Sequence, residues 1–337
     1  MTTLTRRGAM GLLGGAASLP ILGSPALADT KMTVGALRFT SHAASFVAFE
    51  RGYFKDAGLD VEFKFFQAAQ PMAVAIASGD ADYAVTAISG GLISLAEKGA
   101  AKVIGGALSE EPGIDGQKIL ASNAAFDAGL TSPEMLDGKR FAMTQAGSSF
   151  HYMGSKIAAA EGAEMEFVPL QKVGAIIGAM KSGQVDAWSI VPHIAKALAG
   201  GGAVQIIGDV ADYLPDYQVT TVFTSAENAA NERAKTEAFL SAFARGADDF
   251  NAALVDKTAG EDAAEEMVRL IHKYVYTDRP YEKAAPSIRN GAMRINAGAA
   301  LNTTSVQDQL DWFKSENLVK PSVTMDTLVD ASYVETM

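Results

Sequence analysis

Residues 32–190 alternate between short apolar runs and segments with helical spacing of apolar residues. Residues 76–84 read IASGDADYA and residues 180–188 read MKSGQVDAW, so a helix end, a Ser-Gly turn and an aspartate before a strand recur 104 residues apart. Ser41 and Ser148, each at the predicted start of a helix, are 107 residues apart. Alternating strands and helices build sheets that are covered by helices on both faces. The repeat therefore predicts two similar α/β lobes, each built on a parallel sheet.

Two stretches interrupt the alternation, and both are predicted to cross between the lobes. The first reads PGIDG at residues 112–116 and precedes the apolar run at residues 118–121. The second begins at Pro215 and leads into the β-branched run at residues 217–224. The predicted lobes, joined by these two crossing strands, are lobe 1, residues 29–118 and 222–337, and lobe 2, residues 119–221.

The first 28 residues have the pattern of an export signal. Arg6 and Arg7 precede an apolar, small-residue stretch, and Ala28 ends a small-residue site that a signal peptidase accepts. The apolar stretch is too short and too rich in glycine to anchor the chain in a bilayer. We expect cleavage after Ala28, with export by the twin-arginine or the general secretory route, and a mature protein that is free in the periplasm.

The charge and the cysteine count exclude several classes of function. The formal charge of −11 becomes −13 when Arg6 and Arg7 are removed, which disfavours nucleic acids and anionic membrane surfaces as partners. The chain contains no cysteine, so it has no disulfide, no thiolate nucleophile and no cysteine-based metal site. A mature chain of about 300 residues is long enough to fold on a hydrophobic core alone.

Four strand-to-helix junctions are predicted to form the ligand site. Ligands of open α/β sheets bind at the carboxyl ends of the strands, where helix N-termini offer unpaired N–H groups. Two lobes that face each other bring all four junctions to one cleft. The junctions are residues 40–43, 89–91, 147–151 and 189–193, and they hold three of the four histidines in the chain.

The predicted ligand-binding residues combine hydroxyl, imidazole, glycine and aromatic groups with one arginine. Arg38, at the end of the first strand, could pair with a carboxylate or sulfonate, and the histidines could donate hydrogen bonds to an anion. Trp188 could stack on a flat ligand or fill the core of its lobe. The set is Arg38, Ser41, His42, Ser89, Gly90, Ser148, Ser149, Phe150, His151, Trp188 and His193. No metal site is predicted, because the junction histidines lack the close spacing of metal ligands.

One segment carries a family resemblance. Residues 48–61, AFERGYFKDAGLDV, resemble the pattern A-x-x-x-G-Y-F-x-x-x-G-L-x-V of the substrate-binding proteins for nitrate, sulfonates, taurine and thiamine precursors. Residues 77–82 are similar to the family's A-x-G-x-x-D turn, and residues 310–313 and 328–333 resemble its C-terminal region. The resemblance implies a fold like the type II periplasmic binding proteins, in which two α/β lobes close over one ligand. It also implies delivery of that small molecule to an ABC permease in the inner membrane, by a monomer without a cofactor.

The sequence is compatible with three functions. The first is the periplasmic solute-binding component of an ABC importer, for a small organic anion such as a sulfonate, taurine or an aromatic carboxylate, or for a thiamine-related pyrimidine or other heteroaromatic. The second is an enzyme like the family's pyrimidine synthases, but those use a cysteine-rich motif, and this chain also has no Gly-x-Ser-x-Gly elbow. We therefore predict no enzymatic activity. The third is a periplasmic ligand sensor, which the sequence does not separate from the first.

Overall fold

The computed structural model describes residues 30–337, so the predicted export signal, residues 1–28, lies outside the described part of the chain. The strands are β1 (Thr30–Ala36), β2 (Leu59–Phe65), β3 (Tyr83–Thr86), β4 (Ala101–Gly106), β5 (Lys118–Ser122), β6 (Arg140–Met143), β7 (Glu166–Pro169), β8 (Ala187–Ile190), β9 (Val204–Asp209) and β10 (Thr221–Ser225). They form two sheets, with the orders β2-β1-β3-β10-β4 and β7-β6-β8-β5-β9. We call the elements around the first sheet lobe 1 and those around the second sheet lobe 2; the exact limits at residues 118/119 and 221/222 stay a prediction.

Helices cover both sheets. They are α1 (Ala43–Glu50), α2 (Tyr53–Asp56), α3 (Ala69–Ala77), α4 (Gly90–Glu97), α5 (Asn123–Asp127), α6 (Ser149–Glu161), α7 (Val173–Ser182), α8 (Pro192–Gly200), α9 (Ala226–Asn231), α10 (Arg233–Phe250), α11 (Glu261–His272), α12 (Tyr281–Arg289), α13 (Thr303–Ser315) and α14 (Met325–Leu328). Within residues 30–337, no helix has the length and hydrophobicity needed to span a membrane.

Each sheet is mixed, which corrects the prediction of parallel sheets. In the first sheet β1 is parallel to β2 and β3, whereas β10 is antiparallel to β3 and β4. In the second sheet β6 is parallel to β7 and β8, whereas β5 is antiparallel to β8 and β9. Strands β5 and β10 are the first strands that the chain forms after it crosses from the other lobe. Each therefore enters its sheet from the edge that faces the other lobe and runs against its neighbours.

The aspartate of each repeat binds the backbone of the equivalent strand in its own lobe. The Asp82 carboxylate accepts a hydrogen bond from the Thr33 N–H in β1, and the Asp186 carboxylate accepts one from the Arg140 N–H in β6, both at 2.8 Å. Strands β1 and β6 hold equivalent places in their sheets. The two aspartates of the repeated motif are therefore structural residues that bind backbone, which agrees with a chain built from two copies of one unit.

Two antiparallel segments, residues 107–117 and 210–220, carry the chain between the lobes. The Glu110 N–H donates to the Tyr217 carbonyl, and the Val219 N–H donates to the Leu108 carbonyl, both at 2.9 Å. The buried Gln218 side chain donates to the Leu108 carbonyl at 3.2 Å. We call these paired stretches the crossing segments. Their mutual hydrogen bonds give the two lobes one shared, ordered connection.

Candidate functional site

A small cavity of about 60 Å³ lies between the two lobes, and we call it the central cavity. Thr86 is the last residue of β3, Ile190 is the last residue of β8, and Thr144 directly follows β6; all three line it. The cavity therefore lies at the carboxyl ends of strands from both sheets, which is where α/β sheets bind ligands.

The central cavity is polar but uncharged. Its polar lining consists of hydroxyl, amide and imidazole side chains, from Ser41, His42, Gln67, Thr86, Gln117, Thr144, Ser148, Ser149 and Thr220. Within residues 30–337, no lysine, arginine, aspartate or glutamate lines it. Helix α6 begins at this lining, where Ser148 is the N-cap and its hydroxyl accepts from the His151 N–H at 3.4 Å. Free N–H groups at a helix start and neutral donors favour a ligand that accepts hydrogen bonds.

His42 is buried and neutral. Its Nδ1 accepts a hydrogen bond from the Leu37 N–H at 3.4 Å, which assigns the ring proton to Nε2. Burial lowers the pKa of His42 to about 3, so the imidazole carries no charge at neutral pH. In this state the side chain offers the cavity an N–H donor without a fixed positive charge.

Gln117 connects the cavity with a crossing segment. Its backbone N–H and its side-chain amide both donate to one oxygen of the buried Glu110, at 3.0 and 3.2 Å. Burial raises the pKa of Glu110 to about 7. The second Glu110 oxygen and the hydroxyl of buried Tyr217 have no hydrogen-bond partner within residues 30–337. One N–H of the Gln117 amide is thus used, and its second N–H and its carbonyl oxygen are the side-chain groups that remain for a ligand.

A larger second cavity, of about 300 Å³, lies beside the central one, and we call it the outer pocket. Phe39 and Val173 line both cavities. Arg38 and His193 line the outer pocket instead of the central cavity.

The structure brings five of the predicted ligand-binding residues together around the central cavity. These are Ser41, His42, Ser148, Ser149 and Phe150. All five lie on the junctions at residues 40–43 and 147–151, which approach each other from opposite lobes. Their ligand contacts remain a prediction.

The other four predicted residues lie outside both cavities and have structural partners. The Ser89 hydroxyl caps α4 by accepting from the Leu92 N–H at 3.2 Å. The Gly90 N–H donates to the Gly147 carbonyl at 3.0 Å, and His151 Nδ1 accepts from the Gly147 N–H at 3.2 Å. Trp188 is fully buried, with its ring 5.5 Å from the Phe150 ring. Trp188 packs against Phe150 in the core of lobe 2. His151 holds the loop before α6 through its bond to Gly147.

Sequence reasoning did not single out five polar residues of the cavity: Gln67, Thr86, Gln117, Thr144 and Thr220. Gln67 follows β2 closely, Thr86 ends β3 and Thr144 follows β6, so the rule of strand ends would have selected these three. Gln117 and Thr220 lie in the crossing segments, and no local pattern marks them as facing a ligand.

The fold and the inter-lobe cavity define a two-lobed protein with the architecture of the periplasmic binding proteins. Residues 39–253 match the model of the family described as NMT1/THI5 like, and the chain belongs to that family. No curated protein matches the sequence.

Solved structures with low sequence identity share this architecture. The alkanesulfonate-binding protein SsuA from Xanthomonas axonopodis pv. citri, bound to MOPS, superposes with a TM-score of 0.70 at 16% identity, over 92% of this chain and 100% of that chain. The periplasmic nitrate-binding protein NrtA from Synechocystis PCC 6803 has a TM-score of 0.66 at 15% identity, over 88% of this chain and 84% of that chain. A mutant of DSZB in complex with biphenyl-2-sulfinic acid has a TM-score of 0.55 at 13% identity, over 90% of this chain and 97% of that chain. These similarities establish the fold.

Proposed function

We propose that the protein is the solute-binding component of an ABC importer and captures a small organic anion, such as a sulfonate or an aromatic carboxylate, between its lobes. The observation that carries this proposal is the central cavity, which both lobes line with neutral hydrogen-bond donors at their strand ends. Such donors bind an anion without a buried counter-charge, because each N–H or O–H contributes a hydrogen bond in a site shielded from water. The names of two structural neighbours, one alkanesulfonate-binding and one nitrate-binding, support an anionic ligand.

Capture requires the lobes to separate. Ligand sites for small organic molecules have volumes of roughly 300–1,000 Å³, whereas the central cavity measures about 60 Å³. The two crossing segments, residues 107–117 and 210–220, are the place where a rotation of one lobe against the other would enlarge it.

The same neutral lining also suits a heteroaromatic solute such as a thiamine-related pyrimidine. The side chains of Gln67 and Gln117 can pair with the edge of such a ring, and Phe39 and Phe150 supply apolar faces. We infer a non-catalytic role for either ligand. The chain has no cysteine, the described cavity lining holds no carboxylate, and the low pKa of His42 makes it a weak base.

A ligand screen tests the proposal. We expect alkanesulfonates, taurine or aromatic carboxylates to raise the melting temperature of the purified protein by mass action, with pyrimidines as the second class. Thr144→Val keeps the shape of a cavity side chain and removes its hydroxyl, so it should weaken calorimetric affinity by about fivefold. Thr131→Val, on an exposed residue of lobe 2, is the matched control. Stabilisation by sugars or cationic amino acids alone would contradict the proposal.

The role in import needs a separate experiment, because a ligand sensor would bind the same compound. Deleting the gene should abolish uptake of the radiolabelled ligand into cells. Normal uptake, together with a lost transcriptional response to the ligand, would favour the sensor.

A further inference from the structure

The segment at residues 273–280, between α11 and α12, belongs to lobe 1 but reaches lobe 2. Its Tyr274 is anchored in lobe 1, where the ring stacks on Phe46 of α1 at 4.5 Å between centroids and the hydroxyl donates to the Glu50 carboxylate at 2.6 Å. The Tyr274 carbonyl accepts from the Arg38 guanidinium at 3.1 Å. The first half of this segment is therefore held on lobe 1.

Two residues later, Tyr276 contacts lobe 2. Its hydroxyl donates to the carbonyl of His193, in the first turn of α8, at 3.0 Å and accepts from His193 Nδ1–H at 2.9 Å. His193 is 1% exposed, so both hydrogen bonds are shielded from water. Shielded hydrogen bonds are stronger than those in water, and a buried donor that loses its acceptor is costly. The Tyr276 hydroxyl therefore ties the start of α8 to lobe 1.

Two further contacts hold the same helix against lobe 1. The Lys196 ammonium donates to the carbonyl of Asn290, at the end of α12, at 2.9 Å. The neighbouring Gly291 packs directly on α8, because a Cβ on it would lie 2.2 Å from the His193 Cβ. The two lobes thus approach each other here more closely than a side chain at position 291 would permit.

The backbone of Tyr276 is strained. Its φ is +57°, in the left-handed region that bulky residues rarely adopt. A strained residue persists only where its surroundings hold it in place, and such residues concentrate at clamps and switches. The hydrogen bonds to His193 supply that hold from the other lobe, so separation of the lobes would release the strain.

The start of α8 also shapes the central cavity. Ile190 and Val191, directly before α8, line it. Phe39 of lobe 1 lines it as well, and its ring lies 5.6 Å from the His193 ring. A movement of α8 away from lobe 1 therefore moves a wall of the cavity.

We propose that Tyr276 is a latch between the lobes: its hydroxyl holds α8 against lobe 1 and stabilises the closed arrangement, and its strained backbone keeps that closure reversible. Tyr276 does not line the central cavity, so it is a positioning residue that acts on a captured solute through α8. The proposal rests on the proposed function, capture between the lobes, but it requires no particular ligand.

The arrangement of the lobes is measurable without a ligand. The chain has no cysteine, so Val74→Cys in lobe 1 and Glu164→Cys in lobe 2, both at exposed positions, accept one spin label each. Double electron–electron resonance on the full protein then gives the distribution of distances between the lobes. We expect a closed population in the wild type. Tyr276→Phe should lower the ratio of closed to open molecules by at least about fivefold, because it removes both hydrogen bonds to His193.

Tyr274→Phe is the matched control. It removes a hydroxyl from the same segment, but the partner of that hydroxyl, Glu50, lies in lobe 1. This variant should lower the urea midpoint and leave the distances between the lobes unchanged. A purely structural role of Tyr276 would give Tyr276→Phe the same phenotype.

Gly291→Ala tests the contact independently of Tyr276. Its Cβ should push α8 away and lower the closed population, whereas Gly178→Ala, where a Cβ meets nothing within 4 Å, should not. The same distances in the wild type, Tyr276→Phe and Gly291→Ala would overturn the latch, and so would a wild type without a closed population or an equal shift in Tyr274→Phe. A negative ligand screen would count against the proposed function alone, because the distance measurement uses no ligand.

Discussion

The backbone N–H of Gly90 in lobe 1 donates a hydrogen bond to the carbonyl of Gly147 in lobe 2, at 3.0 Å. Gly147 has a φ of +71°, and a Cβ on it would lie 3.3 Å from the Phe313 ring and 3.5 Å from the Gly90 nitrogen. The lobes thus meet, backbone against backbone, at a position where both the conformation and the space favour glycine.

Gly147→Ala should disfavour this contact between the lobes. The added Cβ lies tightly against the Phe313 ring, at 3.3 Å, on a residue whose positive φ already disfavours a side chain. We therefore expect a larger radius of gyration in small-angle X-ray scattering and weaker ligand capture, by about three- to tenfold. Gly162→Ala is the matched control, because Gly162 also has a positive φ, +64°, but a Cβ there meets nothing within 4 Å. Both variants should lose about 1 kcal/mol of stability from backbone strain. Equal scattering curves and affinities would show that the contact does not matter for closure.

We predict that replacing Asp186, the aspartate of the second repeat, lowers stability without changing ligand affinity. The Asp186 carboxylate accepts from the Arg140 backbone N–H and also from its guanidinium, at 3.0 and 2.7 Å. These hydrogen bonds lower the pKa of Asp186, so its stabilising effect is present above the pKa of an unfolded aspartate and is lost as the pH falls further. Asp186→Asn should cost about 1–2 kcal/mol at pH 7 in urea unfolding, and its difference from the wild type should shrink as the pH falls below 3.8.

Ligand affinity should stay unchanged in the same variant, because Asp186 lines neither cavity. Asp127→Asn, on an exposed residue at the end of α5, should change neither quantity. A loss of affinity without a loss of stability would contradict this structural role and place Asp186 in the ligand site.

The sequence predicts the parts of this fold that depend on neighbouring residues. Strand-to-helix junctions are local, and three of the four junctions selected by the rule that ligands bind at strand ends, residues 40–43, 147–151 and 189–193, contribute to one cavity. Ligand binding there stays a prediction. Strand direction is not local, because β5 and β10 join sheets whose other strands lie far away in the sequence. The prediction of parallel sheets failed for this reason.

The sequence also does not show which side chains face the cavity. All four residues of β8 are buried, so its sequence has no alternation to show that Trp188 packs behind Phe150 and away from the cavity. The sequence likewise does not show that Gln117 lines the cavity. Its place in the cavity depends on how the crossing segments align the two lobes.

We predict that the buried Glu110 carboxyl makes the protein less stable as the pH rises. Burial raises its pKa from 4.5 to about 7, so between these values the unfolded chain has released a proton that the folded protein keeps. Stability is therefore fully present below about pH 4.5 and decreases towards pH 7, by an amount on the order of 3 kcal/mol. Glu110→Gln keeps the acceptor for Gln117 and cannot ionise. Its urea unfolding should match the wild type at pH 4 and exceed it at pH 8.

The exposed Glu134→Gln is the control for a general effect of charge. A difference between the wild type and Glu110→Gln that stays constant with pH would mean that Glu110 is ionised in the fold throughout this range.

The two histidines that line the cavities are predicted to be neutral and to be opposite tautomers. Burial lowers the pKa of His42 and of His193 to about 3, and their proximity to each other further disfavours a charge on His193. The Leu37 N–H leaves the proton of His42 on Nε2, whereas the Tyr276 hydroxyl selects Nδ1–H in His193. Ring nitrogen chemical shifts should therefore stay constant between pH 8 and pH 5 and should assign one tautomer to each residue.

The same pKa values fix the sign of an acid effect on stability. Below pH 6.5 the two histidines bind protons in the unfolded chain but stay neutral in the folded protein. The stability that both contribute above pH 6.5 is therefore lost as the pH falls towards 3. Phenylalanine at position 193, in the variant His193→Phe, fills the space of the imidazole and cannot bind a proton. Relative to the wild type, this variant should gain stability progressively from pH 6.5 to pH 4. If instead the His193 signals titrate near pH 6, the imidazole is open to water and is not buried as the structure shows.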